Sequence, residues 1–218
     1  SNTNNMIGSL GDVYAGNINF KDVSRHLLNA VIVVEDKRFY NHYGIDIRGF
    51  FRALFFNLKE RRYAQGASTI TQQLSKLIFL ESDKTLSRKL RELMISFYLE
   101  SNFTKQEILT MYLNRVYLGS GLYGVKSASK RYFLKHPKKL SIAEASILAG
   151  LLKSPSKLSP LVNKQASIKR AKLVIKLLDK EKLITNKEKN IALTDLNIIE
   201  NNTSIGKVIN SRYFIDWI

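Results

Sequence analysis

Glu35 and Asp36 stand directly after the apolar run Ala30–Val34. A carboxylate at the edge of an apolar surface loses part of its hydration, and that loss raises its pKa toward the range useful to a general base. Most surface acids do no chemistry, so by spacing alone the pair also reads as solvated residues closing a buried segment. A second stretch, Gln65-Gly-Ala-Ser-Thr-Ile-Thr-Gln-Gln73, is dense in hydroxyls and carboxamides, neutral donors and acceptors suited to sugar hydroxyls or phosphate oxygens. It reads equally as a capped loop entering a helix, with Ser68 or Thr69 as N-cap and Gln72 or Gln73 reaching back. A third stretch places Lys84, Arg88, Lys89 and Arg91 around Glu92. Arg88 and Lys89 lie one helical turn from Glu92 and share a face with it. That is either an ordinary surface ion-pair network or a cationic cradle for a pyrophosphate.

These residues need rigid elements behind them, and the apolar spacing supplies mostly helices. Leu27, Leu28, Val31 and Val34 recur at helical spacing within 21–34, although the β-branched end also suits a strand. Within 46–60, Phe50, Leu54 and Leu58 are four apart with Phe51 and Phe55 alongside, an aromatic stripe followed by Lys59, Arg61 and Arg62. Thr104-Lys-Gln-Glu107 and Ser141-Ile-Ala-Glu144 are capping boxes opening two further helices, and Thr185–Glu188 is a shorter third. Gly119, Gly121 and Gly124 mark a turn, and Ser154–Pro160 marks a loop. Residues 165–183 form a basic amphipathic helix with Leu173, Leu177, Val174 and Leu178 inward. Neither an internal repeat nor a low-complexity run interrupts the pattern.

Composition narrows the classes. The 218 residues are enough for one large domain or two small ones, and the absence of cysteine excludes disulfides and thiolate metal sites. No apolar run approaches the roughly 20 residues needed to span a bilayer. The 35 Lys and Arg against 18 Asp and Glu give a net charge of +17, which favours a polyanionic partner. Neither a nucleic-acid motif nor a Walker-type phosphate loop is present, so nucleic acid is not the expected partner. The chain opens on Ser-Asn rather than Met and closes on the apolar cluster Tyr213–Ile218. We therefore expect a segment trimmed from a longer protein, with its native anchor missing.

In order and spacing the motifs resemble the peptidoglycan glycosyltransferases of glycosyltransferase family 51. These occur as monofunctional enzymes and as N-terminal domains of class A penicillin-binding proteins. E-D-x-x-F-x-x-H-x-G is matched by Glu35, Asp36, Phe39, His42 and Gly44, and G-x-S-T-x-T-Q-Q by Gly66, Ser68, Thr69, Thr71, Gln72 and Gln73. R-K-x-x-E falls on Arg88, Lys89 and Glu92, and K-x-x-I-L-x-x-Y-L-N on Lys105, Ile108, Leu109, Tyr112, Leu113 and Asn114. A fifth motif, R-R-x-x-V-L, is only approximate at Lys169-Arg170 and Leu173-Val174, a segment that reads as structural. The similarity runs from about residue 20 to 180.

The resemblance implies a mainly α fold: a lysozyme-like helical head with a smaller, membrane-facing jaw at roughly residues 45–66. It implies a glycosyltransferase domain over 1–195, with 196–218 a linker toward a missing transpeptidase domain. Its substrate would be lipid II, polymerised with inversion and release of undecaprenyl pyrophosphate on the outer face of a bacterial cytoplasmic membrane. Glu35 would be the general base, and Glu92 would assist at the donor site through the pyrophosphate network or a divalent cation, Mg or Mn. Lys76, Lys84, Arg88 and Lys89 would bind phosphate, with Lys84 standing where relatives place an arginine. Ser68, Thr69, Gln72, Gln73 and Asn114 would contact substrate. Phe39 and His42 read as supporting residues, and Asp36 either holds the loop or tunes Glu35.

Partners implied are lipid II, the growing glycan strand, an anionic membrane surface and other cell-wall synthesis proteins. The Phe50–Phe56 stripe with its basic flank suits a segment lying among lipid headgroups. Two other readings stand beside this one. A lysozyme-like muramidase or lytic transglycosylase would cleave finished glycan, and a non-enzymatic basic protein would leave Glu35, Glu92 and the second motif unexplained.

Overall fold

A computed structural model describes residues 16–59, 68–79 and 85–201. Among them the chain forms ten α-helices. These are α1 (Arg25–Glu35), α2 (Ile47–Lys59), α3 (Ile70–Phe79), α4 (Leu86–Asn102), α5 (Lys105–Arg115), α6 (Val125–Phe133), α7 (Ile142–Leu151), α8 (Pro155–Leu158), α9 (Lys164–Lys180) and α10 (Asn186–Asn201). Two isolated bridges, Tyr43 with Ile45 and Tyr117 with Tyr123, are the β pairing of the described residues. The mainly helical class read from the sequence is the class observed.

α7 is the axis of the head. It is buried at every position from Ile142 to Leu151, and α1, α9 and α10 pack along it. Its composition explains this, because Ala143, Ala145, Ala149 and Gly150 let neighbouring helices approach closely while Ile147, Leu148 and Leu151 fill the gaps. Its start is held by the expected capping box, with Ser141 Oγ accepting from Glu144 N and Glu144 Oε2 accepting from Ser141 N. The boxes at Thr104/Glu107 and Thr185/Glu188 form in the same way.

α1 resolves the ambiguity of its β-branched end. Ser24 caps it through the Leu27 amide, and burial of Leu27, Leu28, Ala30, Val31 and Val33 overrides the weak helix propensity of valine. The helix therefore runs unbroken to Glu35, and the chain turns away at Asp36.

One sequence expectation needs correction. In α9 Val174 and Leu178 are buried as expected and Leu177 packs partly buried against the core, but Leu173 is 49% exposed, and Ile168, Ala171 and Ile175 complete the buried arc. α10 runs from Asn186 across residue 195 to Asn201 and fully buries Leu196 in the core. Residues 202–218, including the Tyr213–Trp217 cluster, lie outside the described residues.

α2 behaves differently from every other long helix. Asp46 caps it, its Oδ1 accepting from Gly49 N at 2.9 Å and its carbonyl from Phe50 N at 2.8 Å. A side chain at Gly49 would meet Asp46 Oδ2 at 2.4 Å, so a larger residue there would push the capping carboxylate aside. Beyond the cap, Ile47, Phe50, Phe51, Leu54, Phe55 and Leu58 are all exposed, Phe55 by 74%, and Ala53 is the buried apolar residue. α2 lies along none of the other described helices. None of the described helices is long and apolar enough to cross a membrane.

Candidate active site

The first two sequence motifs meet at the start of α3. Asp36 Oδ2 accepts the Ile70 amide at 3.0 Å, and both Asp36 oxygens accept from His42 Nε2 at 2.9 and 3.0 Å. One carboxylate thus caps α3 and fixes the loop that follows α1. Thr69 completes the junction, its hydroxyl donating to the Gly44 carbonyl at 2.6 Å and accepting from Gln72 N, while Gln72 Oε1 accepts from Thr69 N. Gly44, at φ +80°, has no room for a side chain without crowding Glu100 Cγ and the Ser96 carbonyl at 3.3 Å. Thr69 and Gln72 are both buried, with the Thr69 hydroxyl and Gln72 Oε1 committed to this junction. Phe39 is fully buried beneath it, with Lys105 Nζ 4.6 Å from its ring centroid.

One turn further along α3, Gln73 reaches Glu35. Its Nε2 donates to Glu35 Oε2 at 2.8 Å, and its Oε1 accepts from the Tyr112 hydroxyl of α5 at 3.0 Å. Burial pushes Tyr112 well above the ordinary tyrosine value, with the nearby Glu35 charge adding to the effect, so its hydroxyl remains a fixed donor. Glu35 therefore has one oxygen held by an oriented amide, while no described residue donates to Oε1.

Burial raises the Glu35 pKa above the ordinary 4.5; the Gln73 hydrogen bond and the Arg170 charge oppose the rise, and Asp36 adds to it. A carboxylate whose pKa is raised in this way is a stronger base than an exposed glutamate.

The cationic cradle forms on α4. Thr85 caps the helix through the Arg88 amide, and Glu92, 7% exposed, pairs with Arg88 Nη1 at 3.3 Å and with Lys89 Nζ. Both oxygens of Glu92 are engaged by cations. The cradle is tied to α3 through hydroxyls: Ser75 and Ser96 meet Oγ to Oγ at 3.0 Å, one donating to the other, and the proton of the accepting hydroxyl goes to its own helix carbonyl, Thr71 for Ser75 or Glu92 for Ser96. α3 thus contacts Glu35 with one side chain and the cradle helix with another. Further along, Glu100 Oε1 accepts from Thr71 at 2.6 Å and from Lys105 at 2.7 Å, locking α3, α4 and α5 together.

Ser68, two residues before α3, and Lys76, one turn past Gln73 on it, are exposed. Asn114 spends both ends of its amide on Ile18, accepting from its N and donating to its carbonyl at 3.0 Å each. Lys84 and Gly66 lie outside the described residues. The described residues contain no cluster of three or more metal-type ligands, and Glu92 is the single carboxylate of the cradle.

Two contributors escaped the sequence reading. Tyr112 stands in the sequence only as a member of the fourth motif, and its hydroxyl gives no signal in one dimension. Arg170 was set aside with the approximate fifth motif, yet its charge acts on Glu35.

Comparison with known proteins agrees with these motifs. A family model described as Transglycosylase matches residues 3–179. Penicillin-binding protein 1A of Aquifex aeolicus (strain VF5) is 37% identical over 214 residues, covering 98% of this chain and 29% of that protein. Penicillin-binding protein 2D of Bacillus subtilis (strain 168) is 42% identical over 168 residues, covering 77% of this chain and 24% of that one. Penicillin-binding protein 1A of Haemophilus influenzae is 40% identical over 190 residues, covering 87% and 22% respectively. A crystal structure of penicillin-binding protein 1A from Haemophilus influenzae aligns with a TM-score of 0.40 at 30% identity, over 57% of this chain and 15% of that one. The chain spans 22–29% of the length of these curated relatives. With four intact motifs and a family match over most of its length, the chain belongs to the transglycosylase family.

Proposed function

We propose that this chain is a peptidoglycan glycosyltransferase that polymerises lipid II at the outer face of a bacterial cytoplasmic membrane. The observation that carries the reading is the Tyr112–Gln73–Glu35 relay, which aims a desolvated carboxylate and leaves one of its oxygens free of described donors. In the reaction, Glu35 takes the proton of the acceptor sugar's 4-hydroxyl as that oxygen attacks the donor's anomeric carbon. The bond from that carbon to the pyrophosphate oxygen breaks, its electron pair leaves with undecaprenyl pyrophosphate, and the configuration inverts. Arg88 and Lys89, steadied by Glu92, neutralise the charge that develops on the leaving group. Lys76, exposed near the end of α3, and Lys84 supply further positive charge. Pyrophosphate departs readily without a proton, so a cation-bound Glu92 suits this reaction better than a hydrolysis that needs a general acid.

The discriminating experiment offers the protein both lipid II and finished peptidoglycan. Long glycan chains from lipid II, resolved by gel, with no fragments released from the polymer, are the expected result. Fragment release without polymerisation would instead identify a muramidase or lytic transglycosylase, and inactivity on both would leave only a binding role.

The exposed face of α2 fits the membrane part of this reading. Apolar side chains of this size left without a protein partner suit a lipid surface, and the net charge of +17 favours an anionic one. Replacing Phe51 and Phe55 with serine should reduce sedimentation with anionic liposomes at least several-fold. The thermal midpoint should stay unchanged, because neither side chain is part of the core. Liposome binding equal to wild type would remove α2 from the membrane surface.

A further inference from the structure

A cavity of about 460 Å³ opens beside the junction that Asp36 and His42 close. Its size falls in the roughly 300–1,000 Å³ range of small-ligand sites. The loop between α1 and α2 contributes Tyr40, Asn41 and Tyr43, and the passage from α4 into α5 contributes Phe103 and Lys105. The glycosyl transfer described above uses none of these side chains. Tyr40 and Tyr43 are more than half exposed and Phe103 is 37% exposed, so their ring faces are open to a ligand. Among the described residues, the Asn41 carboxamide and the Tyr40 and Tyr43 hydroxyls have no hydrogen-bond partner. The charges in the wall cancel. Lys105 pairs with Glu100 at 2.7 Å and His42 with Asp36 at 2.9 Å, so a phosphate would find no unpaired cation there. A bare lipid chain would cover the polar tips without replacing the water they bind.

We propose that this cavity is a saccharide subsite, which holds the N-acetylated glycan strand during synthesis. A pyranose matches both halves of the lining. Its C–H face stacks on an aromatic ring, while its hydroxyl and acetamido groups exchange hydrogen bonds with a carboxamide and a phenol. His42 adds an independent sign. Its Nε2 serves Asp36, while Nδ1, on a side chain only 4% exposed, is buried without a partner. A hydroxyl both donates and accepts, so it is the group that completes this ring in either protonation state. The subsite rests on the polymerase reading for its place in synthesis, and on its own lining for the ability to bind glycan. Its position suits that place: Tyr40 follows Glu35 by five residues, and His42 bonds Asp36, the neighbour of Glu35. A strand gripped there stays beside the catalytic carboxylate between successive additions, which favours long products.

The test titrates peptide-free glycan strands and, separately, the free stem peptide into the protein by calorimetry. The wild type is compared with Tyr40→Ala, Tyr43→Ala, the double alanine variant and Tyr43→Phe. The wild type should bind the glycan and not the peptide. Each alanine should weaken glycan binding by up to about tenfold, the loss of one stacked ring, while Tyr43→Phe keeps the ring and most of the affinity. Thermal midpoints should match the wild type, because neither ring belongs to the core. On lipid II, the double alanine variant should form its first bonds at the wild-type rate and yield shorter chains on gels. Glycan binding by that variant equal to wild type overturns the proposal, as does a wild type that binds no glycan or prefers the peptide. Unchanged chain lengths from a variant that has lost binding overturn the part in synthesis. If the wild type makes no polymer, the polymerase reading fails while the titrations still decide the subsite.

Discussion

Glu35→Gln should abolish glycan synthesis while leaving a protein at least as stable as the wild type at neutral pH. The loss of rate should be about 10²- to 10⁴-fold, the usual contribution of a positioned general base. The amide keeps the shape of the side chain and can still accept the Gln73 hydrogen bond, so substrate affinity should change far less than turnover. The stability half follows from the direction of the Glu35 shift. Its folded pKa is raised by burial, so between the ordinary value of 4.5 and the raised value the native state holds a proton that the unfolded chain has lost. Glu35 therefore weakens the fold progressively as pH climbs through that window, and the weakening is complete above it. A neutral glutamine removes the effect. Thermal unfolding of both proteins across that window, together with polymerisation gels, checks both halves. A variant that still polymerises would mean that another group is the base.

Asp36→Ala should produce the largest loss of stability of any single change near the site. It leaves the Ile70 amide and His42 Nε2 without their acceptor in a region where the Asp36 and His42 side chains are 3% and 4% exposed. Stranding buried partners of a carboxylate costs about 2–5 kcal/mol in total. For a domain of this size that lowers Tm by about 5–15 °C. Asp36→Asn should lose less, because its carbonyl oxygen can still cap α3. The asparagine variant should also carry an activity signature. Asp36 raises the Glu35 pKa through its negative charge, so neutralising it should shift the acidic limb of the pH profile downward. Calorimetry on both variants and a pH profile on the asparagine form separate the two effects. A Tm within 2 °C of wild type for the alanine form would show that the junction does not depend on this carboxylate.

What the sequence revealed about the site depended on how locally each contact is made. The capping boxes at Thr104, Ser141 and Thr185 were legible because both partners lie three residues apart and the pattern is short. The pairing of Arg88 and Lys89 with Glu92 was legible for the same reason. Gln73 and Glu35, by contrast, are separated by 38 positions, and Gln73 and Tyr112 by 39. Nothing in local periodicity announces those contacts, and only the resemblance to a family placed the first two in one site. Thr69 and Gln72 form the cap that their spacing also allowed, while Thr69 closes on Gly44 across 25 positions, a contact no local pattern announces. Asn114 ties to Ile18 across 96 positions in the same way. Leu173 misleads because it stands off the arc that Ile168, Ala171, Ile175 and Leu178 mark.

The bonds at the base of α2 have a topological consequence. Asp36 meets Ile70 across 34 positions and Gly44 meets Thr69 across 25, so both ends of the intervening stretch are pinned at one junction. Closing a loop costs entropy that grows only slowly with its length. Beyond that junction α2 is tied by the Arg38–Asp46 pair and the buried Ala53, and its outward side chains carry neither tie. In engineering terms that outward face is a replaceable cartridge: side chains of different lipophilicity at Phe51, Phe55 and Leu58 would leave the latch intact and Glu35 where it stands.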